Sequence, residues 1–251
     1  MQSISTVIVC KNEADAIGKT LSSLRGLSDD IVVYDNGSTD DTKNIVKHQG
    51  ANFFEGSWEG FGKTKKKAVS LAKYDWILSV DADEALDEEL KQALLQVQLT
   101  DIETVYEIRF KNYFADKHLR FGEWGWDKHI RVFNRSTVNW DESIVHEKLL
   151  LPPGIKIIRL KGYVLHQTVK DIEEYSEKTM HYASLNASKY YKLGKKSSRV
   201  KILIAPVFEF IKYYIFRLGF LDGREGFICA RMTALYTFLK YEKLRELNRK
   251  K

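Results

Sequence analysis

Apolar positions in the first half of the chain come in short runs, and between the runs they recur at helical spacing. Ile4–Cys10 reads as a strand, and Glu13–Leu24 as a helix carrying Ile17, Leu21 and Leu24 on one face. A second strand, Asp30–Asp35, follows at once. Asp35-Asn36-Gly37-Ser38 has the composition of a turn, and Ser38 or Thr39 is placed to cap a helix through Asp40–His48. A short strand over Asn52–Glu55, a Gly/Trp loop, a helix over Lys63–Lys73 and a buried strand over Trp76–Val80 continue the series. This βαβαβαβ rhythm predicts an α/β fold, a parallel sheet with helices on both faces. Ligands of such sheets bind at the carboxyl ends of the strands.

After a helix over Asp87–Gln98, the segments Val105–Tyr113, His129–Asn134 and Ile155–Val164 read as strands between aromatic-rich loops, and this half looks more antiparallel. From about Val169 the pattern turns helical, over Ile172–Leu193, Val200–Leu218 and Gly223–Leu247, with turn signals at Gly194 and through Leu218–Gly223. The expected organisation is an α/β domain over 1–195 and a helical extension over 196–251.

Composition narrows the picture. With 251 residues, 44% hydrophobic and 29% charged, the chain is long enough for a sizeable core and has globular averages, which argues against disorder. No run approaches the roughly 18 apolar residues of a spanning helix. Met1–Cys10 lacks the pattern of an export leader, and Cys10 and Cys229 form no metal-type or redox-type pair, so a cytosolic address with free thiols is expected. The net charge of +6 divides unevenly: residues 189–251 carry 16 Lys/Arg and 5 Asp/Glu, a net of +11, and residues 1–188 a net of −5. A basic tail of this kind points to an anionic surface, or to a solvated helix face.

The chemistry concentrates where Trp76–Val80 runs straight into Asp81-Ala82-Asp83-Glu84. The i, i+2 spacing at a strand end lets Asp81 and Asp83 face one crevice, where a divalent cation with oxygen ligands could bridge them to a diphosphate. An EF-hand is excluded, because Ala85 and Leu86 stand where it needs a ligand and a glycine. The plain alternative is helix capping, which Glu84 is expected to do in part. Asp35 also ends a buried strand, Ile31–Tyr34, although in isolation it reads as a turn former.

Three stretches, Thr6–Glu13, Val33–Asp40 and Leu78–Glu84, together resemble the family-2 glycosyltransferases of the GT-A fold, in family order and at family spacing. Trp58-Glu59-Gly60-Phe61-Gly62 is similar to the element that precedes D-x-D in enzymes adding a sugar, often glucose, to the inner core of bacterial lipopolysaccharide. The resemblance covers most of residues 1–185. It implies a Rossmann-like nucleotide-diphospho-sugar transferase sheet, with Glu13 and Asp35 bordering the base and ribose, Asp81 by the ribose, Lys65 near the diphosphate, and Asp83 on a divalent metal (Mn2+ or Mg2+). The subgroup usually has Gln-Lys-Asn where this chain reads Thr64-Lys65-Lys66, so Lys66 replaces an Asn. Ser57–Thr64 nearly spells a P-loop, but its first glycine comes one position early, at Gly56, and the match is taken as coincidence, with a nucleotide hydrolase kept as the alternative.

Inverting transfer needs a general base for the acceptor hydroxyl and positive charge for the leaving diphosphate. The resemblance places the acceptor-side acid within Asn139–Glu147, where Glu147 is the expected base and Glu142 the runner-up. His146-Glu147 does not begin a zinc motif, since Leu150 occupies the second histidine position. His166 ends an apolar strand and could reach the metal or satisfy a core hydrogen bond. Arg131 could pair with a phosphate or a site carboxylate, or be a surface arginine. Aromatic residues such as Trp58, Trp126 and Trp140 fall in loops or strand ends, where sugar stacking competes with core packing.

In the tail, Ile204, Val207, Ile211, Tyr214 and Leu218 recur at helical spacing beside Lys201, Lys212 and Arg217. This is the pattern of a basic amphipathic helix in a membrane interface, or of one packed on the domain. The expected function is metal-dependent, inverting transfer of a sugar, a hexose from a UDP-sugar, to a lipid-linked saccharide such as lipopolysaccharide core. The expected location is the cytoplasmic face of an anionic membrane, with no nucleic-acid partner. The alternative is a non-catalytic saccharide- or membrane-binding protein on a degenerate scaffold.

Overall fold

The structure, a computed structural model, describes residues 3–143 and 147–249. The described residues form eleven strands: β1 (Ile4–Cys10), β2 (Asp30–Asp35), β3 (Asn52–Glu55), β4 (Trp76–Asp81), β5 (Glu84–Leu86), β6 (Thr104–Phe114), β7 (Lys117–Leu119), β8 (Lys128–Asn134), β9 (Asn139–Trp140), β10 (Leu149–Leu150) and β11 (Lys156–Val169). The helices are α1 (Ile17–Ser23), α2 (Thr42–His48), α3 (Phe61–Ser70), α4 (Glu88–Gln96), α5 (Ile172–Lys192), α6 (Arg199–Ile211) and α7 (Gly223–Arg249). A π-turn over Lys212–Phe216 and a 3-10 turn over Gly219–Asp222 join the last two.

The main sheet has the order β3-β2-β1-β4-β8-β6-β11-β5, with β7 paired to β6. Strands β3, β2, β1 and β4 are mutually parallel, as the alternation of strand and helix signals predicts. The change of direction comes at β8, which lies antiparallel between β4 and β6, so that Leu78 faces Val132. The antiparallel second half is therefore also as expected.

The apolar runs fold as strands because the central ones are covered on both faces. Successive side chains point to opposite sides, so Ile4, Ile8 and Cys10 of β1 join Ile17, Leu21, Leu90 and Leu94 from α1 and α4. Val7 joins Val32, Ala68, Val69 and Ile77 in a second cluster under α3. The register is thereby tied to burial: a one-residue slip of β1 would exchange the two cores.

Contact grouping divides the chain into two compact units, 1–110 with 128–166, and 111–127 with 167–251. The first holds the parallel strands. In the second, α7 packs along both α5 and α6, and Phe114, Leu119, Val169 and Cys229 form its core. Residue 195, where the sequence suggests a boundary, lies inside this second unit.

Three local expectations are corrected. Helix α1 starts at Ile17 rather than Glu13, because Asn12 turns the chain left-handed (φ 56°) and Glu13–Ala16 form a tight turn, with Ile17 N donating to Glu13 O at 2.9 Å. The cap of α4 is Asp87, whose carboxylate accepts from Leu90 N at 2.9 Å, not Glu84, which is buried in β5. The helix expected over Val200–Leu218 widens into the π-turn after Ile211. Among the described residues no helix is long and apolar enough to cross a membrane.

Candidate active site

The carboxyl ends of β1, β2 and β4 carry the acids named from the sequence. Asp35, at the end of β2, is buried, and its carboxylate accepts from Gly37 N (3.0 Å), Ser38 N (2.8 Å) and the Ser38 hydroxyl. It thus shapes its own turn. Asn12 fastens that turn to the end of β1, accepting from Thr39 N at 2.8 Å through its side chain and donating its own N–H to Ser38 Oγ at 2.8 Å. This role was not read from the sequence, although an Asn just past a strand is among the few residues that tolerate left-handed backbone. Glu13 follows, half-buried, its N–H donating to Thr42 Oγ1 at 2.9 Å.

The densest charge lies around β4. Lys65 projects from α3, buried, with Nζ 2.9 Å from Asp81 Oδ1 and 2.9 Å from Glu147 Oε1. The same ammonium sits 4.9 Å from the centre of the Trp140 ring. On the opposite side, Arg131 of β8 reaches Asp81 Oδ2 at 3.1 Å and also pairs with Glu84 Oε1. Glu84 Oε2 accepts from Asp81 N at 2.9 Å, which closes the ring of contacts. Arg131 is only 5% exposed, so the surface-arginine alternative is set aside and its partners are site carboxylates.

Burial works against the charge on Asp81, but Lys65 and Arg131 overcome it and hold its carboxyl well below the usual range. Burial, with the nearby Asp81 charge, pushes Glu84 upward against the pull of Arg131. Lys65 loses solvation on burial, yet Asp81 and Glu147 keep its pKa above the ordinary lysine value against Arg131.

The start of α3 explains how Lys65 reaches this position. Gly60 adopts φ 97°, and Gly62 N donates to Ser143 O at 2.9 Å. A Cβ on Gly62 would lie 2.1 Å from the Asp141 carbonyl oxygen. The helix is therefore seated on the backbone of 141–143, in the segment that leads to Glu147. Glu142 is exposed and pairs with Lys66 at 3.2 Å; it does not join the Lys65 cluster. His146 lies outside the described residues.

Asp83, just past β4, has its Oδ2 3.4 Å from His166 Nε2 of β11. Burial lowers the His166 pKa, and the Asp83 contact with the surrounding acids outweighs it, for a net rise. Among the described residues no group of three or more His, Cys, Asp or Glu could hold a metal unaided. One carboxylate and one imidazole nevertheless fit a divalent cation that takes its remaining ligands from substrate phosphate and water, as small hard cations commonly do. Of the aromatics, Trp58 and Trp126 are exposed and Trp140 is buried.

Comparison with known proteins gives the family. The model of "Glycosyl transferase family 2" matches residues 5–151. An uncharacterized glycosyltransferase of Rickettsia typhi is 32% identical over 100% of this chain and 89% of its own length. The lipopolysaccharide core biosynthesis glycosyltransferase LpsC of Rhizobium meliloti is 27% identical over 96% of this chain and 91% of its own. Among solved structures, residues 1–349 of S. aureus TarS superpose with a TM-score of 0.48 at 16% identity, covering 99% of this chain and 90% of that one. By the family match across its parallel sheet and the full-length likeness to the Rickettsia protein, the chain belongs to glycosyltransferase family 2, with the GT-A fold.

Proposed function

We propose that the protein transfers a hexose from a UDP-sugar to a lipid-linked saccharide of the lipopolysaccharide-core type, with inversion and with a divalent metal, at the cytoplasmic face of a membrane. The observation that carries the reading is the placement of Lys65 between Asp81, on the strand-end side, and Glu147, on the segment after β9. A donor-side acid and a candidate base are thus held in one ion-paired cluster at the end of a parallel sheet, where α/β folds take their ligands. The likeness to LpsC supports the choice of acceptor.

In this reading Glu147 accepts the proton of the acceptor hydroxyl as that oxygen bonds to the anomeric carbon and the bond from that carbon to the diphosphate breaks. The nucleoside diphosphate leaves, and inversion follows from the single displacement. Lys65 holds the Glu147 carboxylate in place and supplies positive charge toward the diphosphate. Asp81, kept ionised by Lys65 and Arg131, accepts from the ribose, while Glu13 and Asp35 border the base and ribose. Asp83 and His166 would hold the divalent cation, whose chemistry when bound is neutralisation of charge on the leaving diphosphate.

The test is a calorimetric screen of UDP-, GDP-, CMP- and dTDP-sugars with manganese and with chelator, followed by turnover with Glu147→Gln. Metal-dependent binding of a UDP-sugar, with donor affinity kept and turnover lost in the variant, is the expected result. Silence across the panel would favour the non-catalytic alternative, and full turnover in the variant would remove Glu147 as base.

A further inference from the structure

Helix α6 leaves an apolar stripe in solvent. Val200, Leu203, Ile204, Val207, Phe208 and Ile211 recur every three or four residues along one face, and Leu203 is 69% and Phe208 60% exposed. The π-turn continues it with Ile215 and with Phe216, 76% exposed. The opposite face of α6 is the one that packs, through Ile202, which is buried. A contiguous exposed patch of this kind is unusual on a soluble surface and marks an interaction site.

Beside the stripe lies a cluster of three lysines built from three different segments. Lys195 stands over the Tyr190 ring at 4.1 Å, Lys201 of α6 over Tyr241 at 4.6 Å, and Lys240 of α7 over both Tyr236 and Tyr241 at 4.9 Å. Lys240 is also 5.7 Å from the Tyr190 ring, so the tyrosines gather the three ammonium groups together. Among the described residues no carboxylate lies within ion-pair distance of any of the three. Burial and the charges of Lys201 and Lys195 hold Lys240 below the ordinary lysine range, against the opposing pull of Glu209 and Glu123. Like charges held together without a counter-ion are stabilised by a bound anion.

We propose that the exposed face of α6 with its π-turn, together with Lys195, Lys201 and Lys240, is the docking surface for a bilayer of anionic phospholipid. The apolar side chains enter the boundary between headgroups and acyl chains, and the lysines take the lipid phosphates. The adjacency of an apolar stripe and an unneutralised basic cluster selects this occupant over a purely apolar one: a second copy of the chain would bring the same positive charges against one another. The inference rests on the membrane part of the reading above and deepens it, naming the face and the lipid chemistry.

The test is sedimentation of the full-length protein with vesicles of phosphatidylglycerol and phosphatidylcholine mixed, and of phosphatidylcholine alone. Two variants accompany it: Leu203→Glu with Phe208→Glu, and Lys195→Gln with Lys201→Gln and Lys240→Gln. Binding to the anionic vesicles, weakened by salt and at least tenfold stronger than to phosphatidylcholine, is expected. The glutamate variant should abolish it, and the glutamine variant should weaken it by about a hundredfold, roughly fivefold per lysine. Leu203, Phe208, Lys195 and Lys201 are exposed and Lys240 is half-buried; UDP-sugar calorimetry and an unchanged Tm verify that the variants fold. Anionic binding that both variants retain would overturn the assignment of the face while leaving membrane association standing, and absence of vesicle binding by the parent protein would overturn both. A concentration-dependent dimer that Leu203→Glu with Phe208→Glu dissociates would assign the stripe to a second copy and overturn the lipid proposal. The sugar-transfer reading is tested separately, because donor binding is read without vesicles.

Discussion

Lys65 Nζ stands 2.9 Å from Glu147 Oε1, joining the third helix to a segment that follows the ninth strand. The same nitrogen is 2.9 Å from Asp81, and its side chain is 9% exposed. Removal of this buried ammonium leaves Glu147 without its ion-pair partner and Asp81 with Arg131 alone.

Replacement of Lys65 by Met is accordingly expected to lower kcat for sugar transfer by about a hundredfold or more, in line with loss of a preorganised electrostatic group. Lys65→Arg should recover part of that loss, since it restores the charge but not the point geometry. Steady-state kinetics at saturating donor provide the check, and a variant with parental kcat would dissociate Lys65 from the reaction.

Gly62 admits no side chain where it stands. A Cβ would come 2.1 Å from the Asp141 carbonyl oxygen and 2.9 Å from Ser143 N, both backbone atoms that cannot swing aside. Gly62→Ala should cost about 1–3 kcal/mol of stability by overpacking, seen as a lower midpoint in urea unfolding. Because Gly62 seats the start of α3, turnover should fall as well. A midpoint equal to the parent's would show that 141–143 can yield.

Arg131 is a second case of charge held in the interior, between Glu84 and Asp81. Arg131→Met strips Glu84 of its ion-pair partner and leaves Asp81 with Lys65 alone, and a loss of about 3–5 kcal/mol is expected. Adding Glu84→Gln removes the stranded charge, so the double variant should be more stable than Arg131→Met alone. Urea titration of the parent, the two single variants and the double variant measures the coupling.

Asp83→Ala should eliminate metal-dependent donor binding in calorimetry while leaving the unfolding midpoint near that of the parent, because Asp83 is only half-buried. Equal donor affinity with manganese and with chelator in the parent protein would remove the metal from the scheme.

The two thiols should be inert in the folded state. Burial, reinforced by the adjacent Asp35 charge, raises the Cys10 pKa far above the ordinary thiol value. Burial pushes Cys229 up to about 12, against a hydrogen bond from Tyr175. For an acid the rise suppresses the charged form, so at about pH 8 the reactive thiolate of Cys229 is on the order of one part in ten thousand. Ellman's reagent should therefore label neither cysteine before denaturant is added, and both afterwards. Rapid labelling of the native protein would show that one of them is open to solvent.

Much of the fold was legible in the chain itself, because the signals involved are local. Short, near-continuous apolar runs define β1, β2 and β4, and their lengths and spacing require helical crossovers, hence a parallel arrangement. Acids placed where apolar runs stop mark the strand ends, so Asp35, Asp81 and Asp83 could be named before any coordinates. The apolar and basic periodicity of the tail likewise marked α6 as two-faced.

What only the tertiary structure decided are the relationships between residues distant in sequence. Whether Arg131 was surface or site depended on β8 inserting antiparallel beside β4, a pairing that no local pattern encodes. Glu147 was separated from Glu142 by which of them α3 meets: Lys65 is buried against the first, and Lys66 extends to the second in solvent. Asp87 rather than Glu84 caps α4 because Glu84 is already committed to Arg131. Composition and period report which residues are buried and in which element. The identity of a buried charge's partner is settled by strand order and helix seating, where desolvation makes an unpaired carboxylate too costly to keep.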